Sequence, residues 1–194
     1  MDNKEHVLLC VMGRTASGKD SLVNKLCERT GLTAITSYTT RPRRTNEGDT
    51  HIFTTKEVYE QIKADGNVAA YTEIAGNLYW TTIDQLYEND VYIIDPRGVK
   101  TLQTLNLPNL RLVTVYINTP DEIRENRALN KRGDDKVKFR TRDFAERQQF
   151  RDMLKNTDFM YSVSNIDFAK AYSILRYISD IEGVWKNHEE DTTK

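Results

Sequence analysis

Val7-Leu8-Leu9-Cys10-Val11-Met12-Gly13-Arg14-Thr15-Ala16-Ser17-Gly18-Lys19-Asp20-Ser21 is the stretch on which the fold turns. A short apolar run rich in branched residues runs into a turn bounded by two glycines. From Lys19 the pattern becomes helical, with Leu22, Val23, Leu26 and Cys27 on one face and Gly31 placed to end the element. Strand, glycine turn and helix in that order give the string GxxxxGK its physical meaning. The glycines let backbone N–H groups turn inward, the helix N-terminus adds a fixed partial positive charge, and Lys19 supplies a full one. A triphosphate is what such a cradle holds, so Gly13, Arg14, Thr15, Ala16, Ser17, Gly18, Lys19, Asp20 and Ser21 are the expected ATP-binding residues. Asp20 stands where a Ser or Thr hydroxyl usually serves Mg²⁺. It is either the metal-side ligand, directly or through water, or a favourable acidic residue in the first helical turn.

Working outward, further apolar runs at residues 34–37, 91–95, 112–118 and 160–164 alternate with helical patterns at 121–129 and 167–185. That rhythm predicts an α/β fold: a central five-stranded parallel sheet flanked by helices. Residues 41–82 break it, with Thr54 and Glu57 spaced as a capping box and alternating stretches after them, and read as an inserted small mixed α/β lobe. Residues 131–135, rich in charge, glycine and aspartate, read as a mobile loop. The expected organisation is one domain over 1–185, with a core of 1–36 and 83–185, a lobe of 37–82 and a lid of about 127–142. Residues 186–194 read as a disordered tail.

Composition excludes several classes. The 28 Lys and Arg nearly cancel the 29 Asp and Glu, so no whole-molecule field of a dedicated nucleic-acid or membrane binder exists, and neither partner is expected. The first apolar run is shorter than the roughly 20 residues that span a bilayer, which fits a cytoplasmic protein. Cys10 and Cys27 are too few for a disulfide framework or a metal site. A monomer or homodimer is the expected state.

Residues 37–44, Ser-Tyr-Thr-Thr-Arg-Pro-Arg-Arg, set three guanidinium groups beside hydroxyls on a proline-stiffened loop. Arginine's paired donors match phosphate oxygens. By composition alone, a solvated basic loop or an RNA contact has the same signature.

This segment, the later Gly76-Asn77-Leu78-Tyr79, the glycine cradle upstream and Asp95-Pro96-Arg97-Gly98 together resemble the guanylate kinase family in order and spacing. The resemblance implies a P-loop kinase fold and transfer of the γ-phosphoryl of ATP, with Mg²⁺, to a nucleoside monophosphate. Arg41, Arg44 and Tyr79 would hold the acceptor phosphate, Ser37 and Thr81 would face the base, and Asp95 would touch the acceptor or the magnesium shell. Asp95 is equally placed to cap the next helix. His51 stands where the family has a phosphate-touching tyrosine, so an imidazole N–H keeps that contact or it is lost. Ala70 aligns with the glutamate that reads guanine, leaving Glu73 as the nearby carboxylate, and Trp80 replaces a glycine, which would reshape the pocket.

Residues 124–151 carry ten basic and five acidic side chains. Bringing several phosphates together requires such charge to be fixed in advance. By resemblance to the family's lid, Arg127, Arg132 and Arg142 are the catalytic candidates beside Lys19, with Arg140 a substitute for Arg142. The spacing from Arg127 to Arg132 is one residue longer than in the family.

Overall fold

A computed structural model describes residues 5–43, 51–74 and 76–185. In chain order its elements are β1 (His6–Met12), α1 (Lys19–Thr30), β2 (Tyr38–Thr39), β3 (Ile52–Phe53), α2 (Lys56–Ala64), β4 (Val68–Ile74), β5 (Asn77–Thr82), α3 (Ile83–Glu88) and β6 (Val91–Ile93). There follow α4 (Pro96–Thr104), β7 (Leu110–Asn118), α5 (Asp121–Asn126), a π-helical turn (Arg127–Lys131), α6 (Lys136–Asn156), β8 (Tyr161–Ser164) and α7 (Phe168–Ile181).

The first apolar run becomes an interior strand because both its faces are covered. β1 pairs in parallel with β6 on one side and β7 on the other, and β8 extends the sheet in the order β6-β1-β7-β8. Val7, Leu9 and Val11 pack with Leu22, Leu26, Leu175 and Ile178. Leu8, Cys10 and Met12 point the other way, toward Leu86, Val99, Leu102, Phe150 and Met153. A parallel strand buried on both faces reads as an unbroken apolar run, which is why residues 7–12 carry no alternation. Both cysteines are free thiols, and burial pushes Cys10 up to about 12.

Among the described residues the sheet has four strands and one bridge where five strands were expected. Residues 34–37 contribute a single parallel bridge, Ala34 to Val91, with the Ile35 N–H donating to Val91 O at 2.8 Å. The chain leaves the sheet edge at once because Tyr38 and Thr39 pair elsewhere, in a second sheet of order β3-β2-β5-β4. Trp80, 1% exposed, forms the centre of that lobe. It stacks on Tyr38 at 5.3 Å between centroids and meets Tyr59 of α2 edge-on at 5.1 Å.

Helix starts differ in detail from their expected positions. Thr55, not Thr54, precedes α2, and its side chain makes no capping bond. The reciprocal capping box lies at Thr82 and Gln85, opening α3. The expected helix at 121–129 ends as regular α-helix at Asn126 and continues through a π-turn, in which the Arg132 N–H donates to Arg127 O at 3.1 Å. One surplus residue in a helix produces such a turn, which accounts for the longer spacing between Arg127 and Arg132. The charged segment then becomes the 21-residue helix α6, opened by Asp135, whose carboxylate accepts from the Lys138 N–H at 2.9 Å. Residues 136–142 are therefore the first turns of a helix that ends in the core at Phe150 and Met153. The expected tail, 186–194, lies outside the described residues.

Candidate nucleotide site

The glycine turn is shaped by what crowds it. A Cβ on Gly13 would stand 2.5 Å from Ser17 Oγ and 3.3 Å from Ile117 Cβ, so only glycine fits the approach of the loop to β7. Gly18 caps α1 at φ +86°, a region natural to glycine, and Ala16 is also left-handed at φ +60°.

Two carbonyls of the loop are taken up from outside it. Ser17 O accepts from Thr119 Oγ1 at 3.0 Å, Arg127 Nη1 at 3.0 Å and Asn165 Nδ2 at 2.8 Å, while Thr15 O accepts from Arg124 Nη1 at 3.0 Å. The Ser17 N–H is taken by Arg14 O at 3.0 Å, and the N–H groups left for an anion are those of the first turn of α1, which lack helical partners. Lys19 Nζ lies 3.6 Å from Asp20 Oδ2, with the Asp20 side chain 68% exposed. The Arg14 guanidinium points away from the cradle, onto Asp121 and Asp143. The Thr15 N–H donates to Glu146 Oε2 at 2.7 Å, and burial pushes that carboxyl above its ordinary range.

The three arginines expected in a lid separate into two groups. Arg132 Nη2 and Arg142 Nη2 converge on Asp134 Oδ2, at 2.6 and 2.8 Å. Arg127 is half-buried and spends both terminal nitrogens on carbonyls, those of Ser17 and Asn165. Arg140 pairs with Glu125 at 3.2 Å, apart from the other two. Arg124 and Asn165 were not expected at the site. Both touch the loop through long-range bonds.

Asp95 follows β6 as Gly13 follows β1, and the register Val11 to Ile93 sets the two strand ends side by side at the carboxyl edge of the sheet. Ligands of parallel sheets bind at that edge. Asp95 Oδ1 accepts from the Gly98 N–H at 2.7 Å, so one oxygen caps α4. Ser37 Oγ lies 3.2 Å from Thr81 Oγ1, which lies 2.6 Å from the Tyr92 hydroxyl. Burial raises the Tyr92 phenol above its ordinary range, so it stays a neutral hydroxyl. Tyr92 is the residue the sequence reading missed here: it sits on β6, in the core sheet, and ties the lobe to it.

Strand alternation sorts the rest. Thr81 opposes Ala70 and Tyr79 opposes Thr72, so these four share one face. Trp80 opposes Tyr71 and Glu73 opposes Leu78, on the other face. Glu73 is thus turned away from Ser37 and Thr81 and does not replace the missing carboxylate at Ala70. Trp80 packs under the lobe and does not enter the pocket. On the Tyr79 side, the His51 ring centroid is 5.6 Å from that of Tyr79, and Arg41 and Arg43 lie over Phe53 at 5.4 and 4.5 Å. Arg44 lies outside the described residues.

Among the described residues no group of three or more His, Cys, Asp or Glu side chains is arranged to hold a metal. No protein cage for an ion exists there. A single exposed carboxylate beside the phosphate loop fits Mg²⁺ differently, since that ion keeps several waters and takes its remaining ligands from phosphate. No helix of the described residues is long and apolar enough to cross a membrane.

Comparison with known proteins gives consistent results. The family model described as guanylate kinase matches residues 5–181. A guanylate kinase of Acinetobacter baylyi is 32% identical over 190 residues, covering 92% of this chain and 85% of that protein. One from Mycoplasmoides gallisepticum is 26% identical over 181 residues, covering 86% and 92%. Among solved structures, the guanylate kinase of Anaplasma phagocytophilum superposes with a TM-score of 0.62 at 20% identity, covering 92% of this chain and 87% of that one. At that identity the superposition speaks for the α/β fold.

Proposed function

The chain belongs to the guanylate kinase family, and from that premise we propose that it moves the γ-phosphoryl group of ATP onto GMP, dGMP or a related nucleoside monophosphate. One observation carries the reading. The braced glycine loop follows β1, and the Ser37–Thr81 hydroxyl pair of the lobe is tied through the Tyr92 hydroxyl and the Ala34–Val91 bridge to β6, the strand beside it.

In the reaction an oxygen of the acceptor phosphate forms a bond to the γ-phosphorus, and the bond to the bridging oxygen breaks with its electron pair leaving on ADP. The acceptor is already ionised at neutral pH, so no general base is required. Positioning and charge stabilisation do the work. Lys19 and the loop N–H groups take the triphosphate, and Arg132 and Arg142, now on Asp134, are the cations poised to follow the moving group. Arg41, Arg44, His51 and Tyr79 hold the acceptor phosphate, and Asp95, with one oxygen on the Gly98 N–H, has the other to offer the acceptor. Asp20 would hold Mg²⁺, which supplies neutralisation of the phosphate oxygens. The lobe of residues 37–82 and the lid of about 127–142 close over the two substrates and exclude water.

The base pocket supports a broad acceptor range. Among the described residues it offers the hydroxyls of Ser37, Thr81 and Tyr92, with Ala70 rather than a carboxylate at the position of the family's base-reading glutamate. A site without a fixed partner for a base edge discriminates weakly. The test is ADP release from Mg-ATP against a panel of ribo- and deoxynucleoside monophosphates. Lys19→Ala is expected to lower turnover by about 10²–10³-fold. Arg41→Ala is expected to raise the acceptor KM by about 10–100-fold through a lost charged hydrogen bond. Failure of every monophosphate to accept, or an Arg41→Ala enzyme with unchanged acceptor KM and turnover, overturns the assignment.

A further inference from the structure

Four charges form a closed circuit at the back of the phosphate loop. Arg14 Nη2 donates to both oxygens of Asp143, at 2.7 and 2.8 Å, and Arg14 Nη1 to Asp121 Oδ1 at 2.9 Å. Arg124 closes the circuit, donating to Asp143 Oδ1 at 2.6 Å and to Asp121 Oδ1 at 2.8 Å. Hydrogen bonding from Arg124 holds the Asp121 carboxyl below its ordinary range. Arg124 and Asp143 are buried, at 1% and 7% exposure. Arg147 adds a weaker contact to Asp143 at 3.4 Å.

The circuit joins three parts of the chain. Arg14 belongs to the phosphate loop, Asp121 and Arg124 to α5, and Asp143 to α6, where it directly follows Arg142. Arg124 also holds Thr15 O, and Glu146, one turn beyond Asp143 on the same helix, accepts the Thr15 N–H. Helix α6 therefore grips Arg14 by its side chain and Thr15 by its backbone. A surface ion pair contributes little, but removing one member of a buried, hydrogen-bonded set leaves its partners uncompensated.

We propose that Asp143 is a positioning residue for the ATP side of the reaction, the joint through which α6 fixes the first half of the phosphate loop. This rests on the functional reading above and adds to it that α6 from Asp143 onward is fixed to the donor cradle, so that closure of the lid is confined to the residues before it. The contacts of the circuit are to residues 14, 15, 121, 124, 143 and 147, none of them in the lobe of residues 37–82. Loss of Asp143 should accordingly weaken the donor and spare the acceptor. A residue needed only for stability would lower the amount of folded enzyme and leave both KM values in place.

The experiment measures binding of the β,γ-imido analogue of ATP and of GMP by calorimetry, with steady-state KM for ATP and GMP alongside. Asp143→Asn is expected to raise the analogue's Kd and the KM for ATP about tenfold, a typical coupling between touching residues, with both GMP constants within about twofold. If Asp143→Asn does not fold, Arg14→Met decides, because it leaves Arg124 paired with both carboxylates and removes only the loop's share. The double variant should lie within about threefold of the weaker single one, since both act through one joint. Unchanged donor constants in a folded variant, equal weakening of donor and acceptor, or full multiplication of the two single effects overturns the proposal. Wild-type protein that fails to take up the analogue overturns the functional reading, and this one with it. Wild-type binding matched by equal binding in both variants overturns this proposal alone.

Discussion

Replacing Gly18 by alanine tests whether the phosphate loop is held from behind as described. The residue sits at φ +86°, where an L side chain costs about 1–2 kcal/mol. The new Cβ would lie 2.6 Å from Asn165 Nδ2 and 3.3 Å from Arg127 Nη1. Asn165 is fully buried and cannot swing into solvent, so relieving the clash breaks its bond to Ser17 O, 2.8 Å long. An orphaned buried donor costs about 1–3 kcal/mol. Together the strain and the lost bond come to about 2–5 kcal/mol. Urea unfolding at neutral pH reads the stability, and calorimetric titration with the imido analogue of ATP reads the loop. We expect a loss of stability in that range and donor affinity at least about tenfold weaker. A folded Gly18→Ala protein less than about 1 kcal/mol destabilised, binding the analogue as the wild type does, would refute the bracing.

Two further outcomes follow from packing and charge. Trp80→Ala empties the centre of the lobe, between Tyr38 and Tyr59, and is expected to cost about 3–5 kcal/mol by chemical denaturation. The phosphate loop lies in the other sheet, so analogue affinity measured on the folded fraction should persist, and its parallel loss would show that lobe and core are one unit. The Tyr161 hydroxyl and Arg111 hydrogen-bond Glu182 and hold its carboxyl below the ordinary range. A depressed carboxyl stabilises the fold above its unfolded-state pKa and loses that contribution as pH falls through the folded value. Glu182→Gln should therefore melt below wild type at neutral pH and converge with it in acid. A gap that stays constant with pH would count against the charge.

Much of this was legible from one end of the chain. Residues 7–31 declared strand, turn and helix because burial on both faces leaves an apolar run, a phosphate cradle needs glycine, and α1 shows its buried stripe. The long helix α6 was harder. It buries only Phe139, Asp143, Phe150 and Met153 over 21 residues, so charge conceals its period. The second sheet has strands as short as Tyr38–Thr39, held by pairing that no local pattern announces. Glu73 misled for a simpler reason: nearness in sequence to Ala70 does not fix direction, and on β4 an odd step from Ala70 turns it to the opposite face. Tyr92 and Arg124 reach the site across long stretches of chain, and a hydroxyl or guanidinium in an unremarkable context carries no mark of its destination.

The π-turn at Arg127–Lys131 has a practical consequence for anyone exchanging lids between related enzymes. An added residue in a regular helix swings everything downstream by about 100°, yet here the surplus is taken up as a bulge before Arg132, which still lands beside Arg142 on Asp134. Counting residues from Arg127 to Arg132 is consequently the wrong ruler. Trimming one of them, Asn130 for instance, which faces solvent, would tighten the bulge into ordinary helix and leave the guanidinium aimed where it already is.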